Sequence, residues 1–176
     1  DKASLQIIPP SPYKFGKKGD YEDITLYKGV PYLLISNGTI IKVIRDSTGK
    51  VVNGEEVGEL SVTGTNDFET IYTDTARKAL IIVCKNCAMD SKSEVSAFAF
   101  YPDSVGFVNE PVFRMDANKI RELSAKSGHR KTSKFQPSAA SIHPVTKKLF
   151  IISSASSQLV IADQNGTPEQ VFELGE

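Results

Sequence analysis

The pattern Asp-aromatic-Glu-x-Ile occurs twice, as Asp20-Tyr21-Glu22-Asp23-Ile24 and as Asp67-Phe68-Glu69-Thr70-Ile71, at a spacing of 47 residues. A chain that repeats itself at such a period folds as an array of one supersecondary unit, each copy packing on the next. The apolar runs say what the unit is. Val30 to Ile35, Thr39 to Ile44, Leu80 to Val83, Val95 to Phe100, Leu149 to Ile152 and Leu159 to Ile161 are of strand length and rich in Ile, Val, Leu, Phe and Tyr. Gly, Asn, Asp, Pro or Ser separates them, which reads as a β-meander. Four strands in about 47 residues is the period of a β-propeller blade.

A second self-match joins Thr73 to Val83 (TDTARKALIIV) with His143 to Ser153 (HPVTKKLFIIS), ungapped at an offset of 70 residues. The extra length relative to the first period is assigned to an insertion before the third unit, the helical and basic stretch from Arg114 to Lys134. The expected fold is therefore all-β, with four-stranded blades over 19–62, 66–114 and 135–176 and an insertion over 115–134. The strands expected in the first blade are Asp23 to Tyr27, Val30 to Ile35, Thr39 to Ile44 and Glu56 to Val62. The second takes Glu69 to Thr73, Leu80 to Val83, Val95 to Phe100 and Val108 to Arg114; the third takes Ala139 to Ile142, Leu149 to Ile152, Leu159 to Ala162 and Gln170 to Leu174. Asn37-Gly38 predicts a type I′ turn with both residues at positive φ, and Asn53-Gly54 and Asn165-Gly166 are further turn signals. One helix is expected over Ala117 to Ser127, capped by Asp116 and ended by Gly128.

Three blades do not close a ring, because propellers use about four to eight. Leu5 to Phe15 reads as the outer strand of a preceding blade, so the chain is expected to be part of a propeller. Its open blade faces would be apolar and would offer a route to self-association. Asp1 is not an initiator Met and opens no targeting segment, so the chain reads as a processed or trimmed product.

Composition narrows the function classes. With 40% hydrophobic and 24% charged residues the chain can bury a core, and 21 basic against 21 acidic residues leave no general field to attract nucleic acid or an anionic membrane. No apolar run reaches the eighteen or so residues of a membrane span.

The runs KKGDYEDITLYKGVPYLLISNGTIIKV, NDFETIYTDTARKALIIVCKNC and FQPSAASIHPVTKKLFIISSASSQLVIADQNG resemble successive blades of the SdiA-regulated β-propellers of Gram-negative bacteria. The resemblance runs from Gly19 to about Phe172 and is most specific at the Asp-Tyr-Glu and Gln-Pro-Ser blade openings. Members usually carry an earlier blade and a closing blade, and neither is found here. The resemblance implies an extracytoplasmic protein, in the periplasm or at the outer membrane or cell surface. It also implies that the membrane is met only through a lipid anchor that this chain lacks. Kinship with calcium-dependent phosphoesterase and lactonase propellers is implied as well.

Glu22 and Glu69 hold the same repeat position at the start of an innermost strand, so they should converge on one mouth of the channel. There, with Asp20 and Asp67, they would offer carboxylate oxygens to a ligand or to a hard cation such as Ca²⁺. The third repeat places Pro137-Ser138 where the acidic pair would be. The alternative is that the glutamates accept hydrogen bonds at the blade mouth. Cys84 and Cys87 form a lone C-x-x-C, which reads as a local disulfide or a pair of half-buried thiols. Zinc would need about four ligands, and His129 and His143 stand at no finger spacing. His143 lies near Ser141 without a nucleophile elbow and reads as a packed or rim histidine. The cations of Lys126 to Lys134, with His129, Arg130 and Lys131, read as a solvated loop or a site for phosphate, an acidic glycan or an acidic partner face. No catalytic residue is assigned. The function expected is a non-catalytic, extracytoplasmic module that binds a small ligand or a protein. The alternative is a calcium-dependent hydrolase of phosphate esters or lactones.

Overall fold

The computed structural model describes residues 18–104, 106–128 and 134–175. The expected strand at Leu5 to Phe15 lies outside them, as do His129, Arg130 and Lys131. Among the described residues twelve strands form three four-stranded antiparallel sheets, each ordered as the chain runs. The first holds β1 (Tyr21–Tyr27), β2 (Val30–Ile35), β3 (Thr39–Arg45) and β4 (Val51–Glu59). The second holds β5 (Asn66–Asp74), β6 (Ala79–Cys87), β7 (Glu94–Tyr101) and β8 (Gly106–Asp116). The third holds β9 (Ala139–Ile142), β10 (Leu149–Ser153), β11 (Gln158–Ala162) and β12 (Pro168–Glu173).

The sheets stack face to face as propeller blades. Tyr32, Leu34 and Ile40 of the first pack with Phe68, Leu80, Ile82, Phe98 and Phe100 of the second. On the other face of the second sheet, Ile81, Val83, Ala97, Ala99 and Met115 pack with Leu149, Ile151, Val160 and Ala162 of the third. Alternate residues of β6 thus enter different cores, which is why Ala79 through Cys84 are all buried and why no polar alternation marks that strand. The innermost strands β1, β5 and β9 lie side by side in that order.

Helix α1 (Ala117–Lys126) connects the second sheet to the third. The Asp116 carboxylate accepts from the N–H groups of Asn118 and Lys119, and Ile120 and Ser124 are buried against the core. The helix packs on β12 and β7, so the insertion fills the outer part of the wedge between two blades.

The blades are also tied at the end opposite the strand-one openings. In the first two sheets the turn between strands one and two reaches the turn between strands three and four of the next sheet. Lys28 Nζ bonds the Asp103 carboxylate at 2.8 and 2.9 Å, and Tyr27 Oη donates to Asp103 at 2.9 Å. One blade on, Arg77 donates to Asn165 Oδ1 at 2.8 Å while its other arm pairs with the buried Asp74.

Pairing fixes how the repeats correspond. Ile24 pairs with Leu33, Ile71 with Ile82 and Ala140 with Ile151. The innermost strands of the first two blades therefore keep the 47-residue spacing from Ile24 to Ile71. Between the second and third blades the offset is 69 rather than 70, because Asp74 and His143 are equivalent. Asp74 Oδ1 accepts from the N–H groups of Ala76 and Arg77, and His143 Nδ1 accepts from those of Val145 and Thr146. The ungapped match had aligned the basic pairs of the two hairpins, but the turn-capping acceptors set the register.

Two turn expectations need correcting. The type I′ turn is Lys28-Gly29, with φ of 50° and 78°, joining the paired residues Tyr27 and Val30. At Asn37-Gly38 only Gly38 has positive φ, because Asn37 Oδ1 instead accepts from the Thr39 N–H at 3.1 Å. Asn53-Gly54 is no turn: both residues lie within β4, paired with Ile44 and Val43. The chain reverses earlier, where Asp46 Oδ1 accepts from the N–H groups of Thr48 and Lys50, and this moves the outer strand from the expected Glu56 to Val62 back to Val51–Glu59. Asn165-Gly166 does turn, with Gly166 at φ 78°.

Candidate functional site

The two glutamates of the repeat are the bulge residues of their strands. In β1 the pairing steps from Tyr21↔Ile35 to Asp23↔Leu34, passing over Glu22; in β5 it steps from Phe68↔Cys84 to Thr70↔Val83, passing over Glu69. A bulged residue is released from the ladder and its side chain is re-aimed, so the Asp-aromatic-Glu-x-Ile pattern encodes one bulge at the same place in two blades. In the third sheet Ile152 pairs with Ala139, and Ser138 holds the equivalent of the glutamate position with its N–H bonded to Ile152 O at 2.8 Å.

The structure brings Asp20, Glu22, Asp67 and Glu69 into one electrostatic neighbourhood. Glu22 is held above its ordinary 4.5, first by partial burial and then by the charges of Asp20, Glu69 and Asp67, with Lys85 opposing. Sequence reasoning missed Lys85. Its ammonium pairs with Glu69 Oε1 and lies 3.4 Å from Asp67 Oδ2, and the Glu69 hydrogen bond is the main cause that raises its pKa. The signal was the hairpin itself, since the strand returning from the β5 turn must pass the acidic opening with the residues just after Val83.

The C-x-x-C brackets that lysine. Cys84 and Cys87 are joined by a disulfide and both are buried. Lys85 and Asn86 therefore stand on a cross-linked four-residue segment at the mouth, and Lys134 donates to Asn86 Oδ1 at 2.9 Å. Asp90 approaches the two sulfurs, but its carboxylate accepts from the Ser96 N–H and hydroxyl, and paired sulfurs offer no thiolate to a metal. His143 stays at the opposite end, capping its turn and stacked on Phe150 at 5.4 Å between ring centroids. It does not meet the acidic mouth or a nucleophile there.

Among the described residues the mouth gathers the carboxylates of Asp20, Glu22, Asp67 and Glu69, with Lys85 among them and Lys134 at its edge on Asn86, an excess of negative charge on fixed backbone. It can receive a cationic group, or a hard cation if Lys85 yields its partners.

No known family profile matches the chain, and no curated protein matches it. Solved structures do. A Thermus thermophilus protein assigned as an oxidoreductase (glucose dehydrogenase) superposes with a TM-score of 0.56 at 11% identity, over 88% of this chain and 46% of that one. The periplasmic gluconolactonase of Pseudomonas aeruginosa superposes with a TM-score of 0.51 at 14% identity, over 90% of this chain and 41% of that one. The Dos1 propeller matches with a TM-score of 0.43 at 12% identity, over 89% and 48%. The chain spans less than half the length of each. At these identities the likeness to the Thermus and Pseudomonas proteins is one of fold, and the three stacked four-stranded sheets make this chain a run of β-propeller blades.

Proposed function

We propose that this chain is part of a non-catalytic, extracytoplasmic binding propeller. Its ligand, a small molecule or a protein segment, would present a cationic group to Asp20, Glu22, Asp67 and Glu69. The observation that carries the reading is the repeated bulge, which releases Glu22 and Glu69 from their ladders at the same place in two blades, with Lys85 paired to Glu69. A fixed scaffold with charged groups at loop ends suits recognition. The Cys84–Cys87 disulfide supports an oxidising compartment. Among the described residues no helix is long and apolar enough to cross a membrane. Kinship with the SdiA-regulated family, and the lipid anchor it implies, belong to this proposal.

A second reading is a calcium-dependent hydrolase of phosphate esters or lactones, with the same carboxylates as Ca²⁺ ligands. It is favoured by the mutual charge interaction of Glu22 with Asp20, Glu69 and Asp67. A calcium site wants six to eight oxygens, and Lys85 competes for two of these acids.

Calorimetric calcium titration of the wild type and of Glu22→Gln/Glu69→Gln separates the two, followed by a screen of generic phosphoester and lactone substrates. The binding reading expects no calcium heat and no turnover. Calcium heat that disappears in the double variant, with turnover of either substrate class, overturns it.

A further inference from the structure

We propose that the Cys84–Cys87 disulfide is a redox latch that keeps Lys85 seated among the carboxylates of the mouth, and that its reduction withdraws this internal cation and opens the mouth to a cationic ligand. The latch rests on the reading of the mouth as a receiver of cationic groups and adds its regulation.

The second sheet carries two opposed bulges. From Asp67↔Asn86 to Phe68↔Cys84 the pairing passes over Lys85 in β6; from Phe68↔Cys84 to Thr70↔Val83 it passes over Glu69 in β5. Lys85 and Glu69 are therefore the released residues of facing strands, and they pair with each other. The disulfide joins the two ends of the Lys85 bulge. The cysteine Cα atoms stand 5.9 Å apart at a sequence separation of 3, where an extended strand would span about 10 Å.

The neighbouring blades show the same place without the latch. Counting on from the paired positions, Ile35 and Ser153 are the counterparts of Cys84, and Ser36 and Ser154 those of Lys85. In the first sheet β2 has no bulge here: Tyr21 pairs with Ile35, and the Ser36 N–H continues that register to the Asp20 carbonyl at 2.9 Å. In the third, the Ser154 N–H bonds Ser138 Oγ at 3.1 Å. Neither serine brings a charge to the mouth. Among the described sheets a lysine stands at this place only where cysteines bracket it, and there it occupies Glu69 and lies 3.4 Å from Asp67. Without the cross-link β6 is free to take the unbulged course of β2, which withdraws Lys85 from Glu69.

The chemistry is thiol–disulfide exchange with a dithiol. One reductant thiolate attacks the less buried sulfur, that of Cys87, which is 7% exposed against 1% for Cys84; the S–S bond breaks, and the Cys84 sulfur leaves and takes up a proton. The second reductant thiolate then displaces Cys87 from the mixed disulfide. Two electrons and two protons thus end on the protein's thiols, and the reductant becomes a disulfide. Cys84 Sγ lies 3.7 Å from the Asp67 carbonyl, an acceptor for the thiol it becomes.

The test is calorimetric titration of the 176-residue chain with spermidine, oxidised and after reduction by dithiothreitol. Beside it runs the rate at which acetic anhydride acetylates Lys85, read by peptide mass spectrometry. Reduction should tighten spermidine binding and speed Lys85 acetylation by about fivefold each, the effect of losing one partly exposed ion pair. Lys85→Met should bind spermidine as tightly as the reduced chain in either redox state, and Cys84→Ala/Cys87→Ala should match the reduced chain without reductant. Equal affinity of the oxidised and reduced chains, with Lys85→Met binding more tightly than both, overturns the latch and leaves the mouth a cation receiver. Spermidine bound by no form, Lys85→Met included, overturns the reading of the mouth and the latch with it. An acetylation rate indifferent both to reduction and to Cys84→Ala/Cys87→Ala overturns the latch whatever the affinities.

Discussion

Asp23 of the first sheet accepts the backbone N–H of Ile71 in the second, at 2.9 Å to Oδ2, and the same oxygen takes the Thr70 hydroxyl at 3.1 Å. Oδ1 accepts from the N–H of Ile24 at 2.7 Å. Innermost strands of neighbouring blades do not share a ladder, so this carboxylate takes the place of the pairing they lack. Asp23→Ala would leave a donor unpaired beside the buried Thr70, and it should cost about 3 kcal/mol. Thr70→Val, which removes one bond and keeps the shape, should cost about 1 kcal/mol. Urea unfolding with an unchanged slope checks both.

Glu22 gives a pH dependence whose sign follows from its raised pKa. A carboxyl that holds its proton more tightly when folded stabilises the fold at acid pH, and that contribution is lost as pH rises through the folded-state value above 4.5. Glu22→Gln should therefore be more stable than wild type at neutral pH. The difference should shrink as pH falls through that range, as read from melting curves. A difference independent of pH would mean that charge is not the cause.

Gly166 turns the last hairpin of the third sheet against the second. Its φ is 78°, and a Cβ there would lie 2.3 Å from the Phe113 ring. Gly166→Ala combines backbone strain with a clash against a buried aromatic and should cost about 2 kcal/mol. Gly29→Ala, at a similar φ but with nothing within 4 Å, carries the strain alone and should cost about 1 kcal/mol. Chemical denaturation of the two variants measures the difference.

The Cys84–Cys87 bridge closes only a short loop, with a sequence separation of 3. Restricting so small a loop in the unfolded chain contributes about 2 kcal/mol on the chain-entropy account. Cys84→Ala/Cys87→Ala should thus remain folded, while Lys85 loses its cross-linked support. Exchange broadening at Lys85 and Asn86 in amide NMR spectra, without broadening at Ile81, would report that local effect.

The class of fold was legible because apolar runs and a 47-residue repeat are properties of the chain alone. Two particulars escaped for physical reasons. The turn at Asp46 outcompeted Asn53-Gly54 because a carboxylate that accepts two backbone N–H groups closes a hairpin as well as a glycine pair does. The equivalence of Asp74 with His143 was hidden because an acceptor can be an oxygen or a ring nitrogen, and residue identity does not show that they do the same work. At the mouth, the four acids were legible as a repeat. Lys85 was not, because its place depends on a bulge that shifts the register between Phe68 and Thr70.

Of the three described sheets, the second has both faces covered, with Leu80, Ile81, Ile82 and Val83 all fully buried. In a stack where each unit leans only on its neighbours, this makes the central unit the slowest to open. In the 176-residue chain, amide hydrogens of β6 should exchange more slowly than those of β1 and β12. The acidic mouth, shared between the first sheet and the second, would then loosen at Glu22 before Glu69 and Lys85.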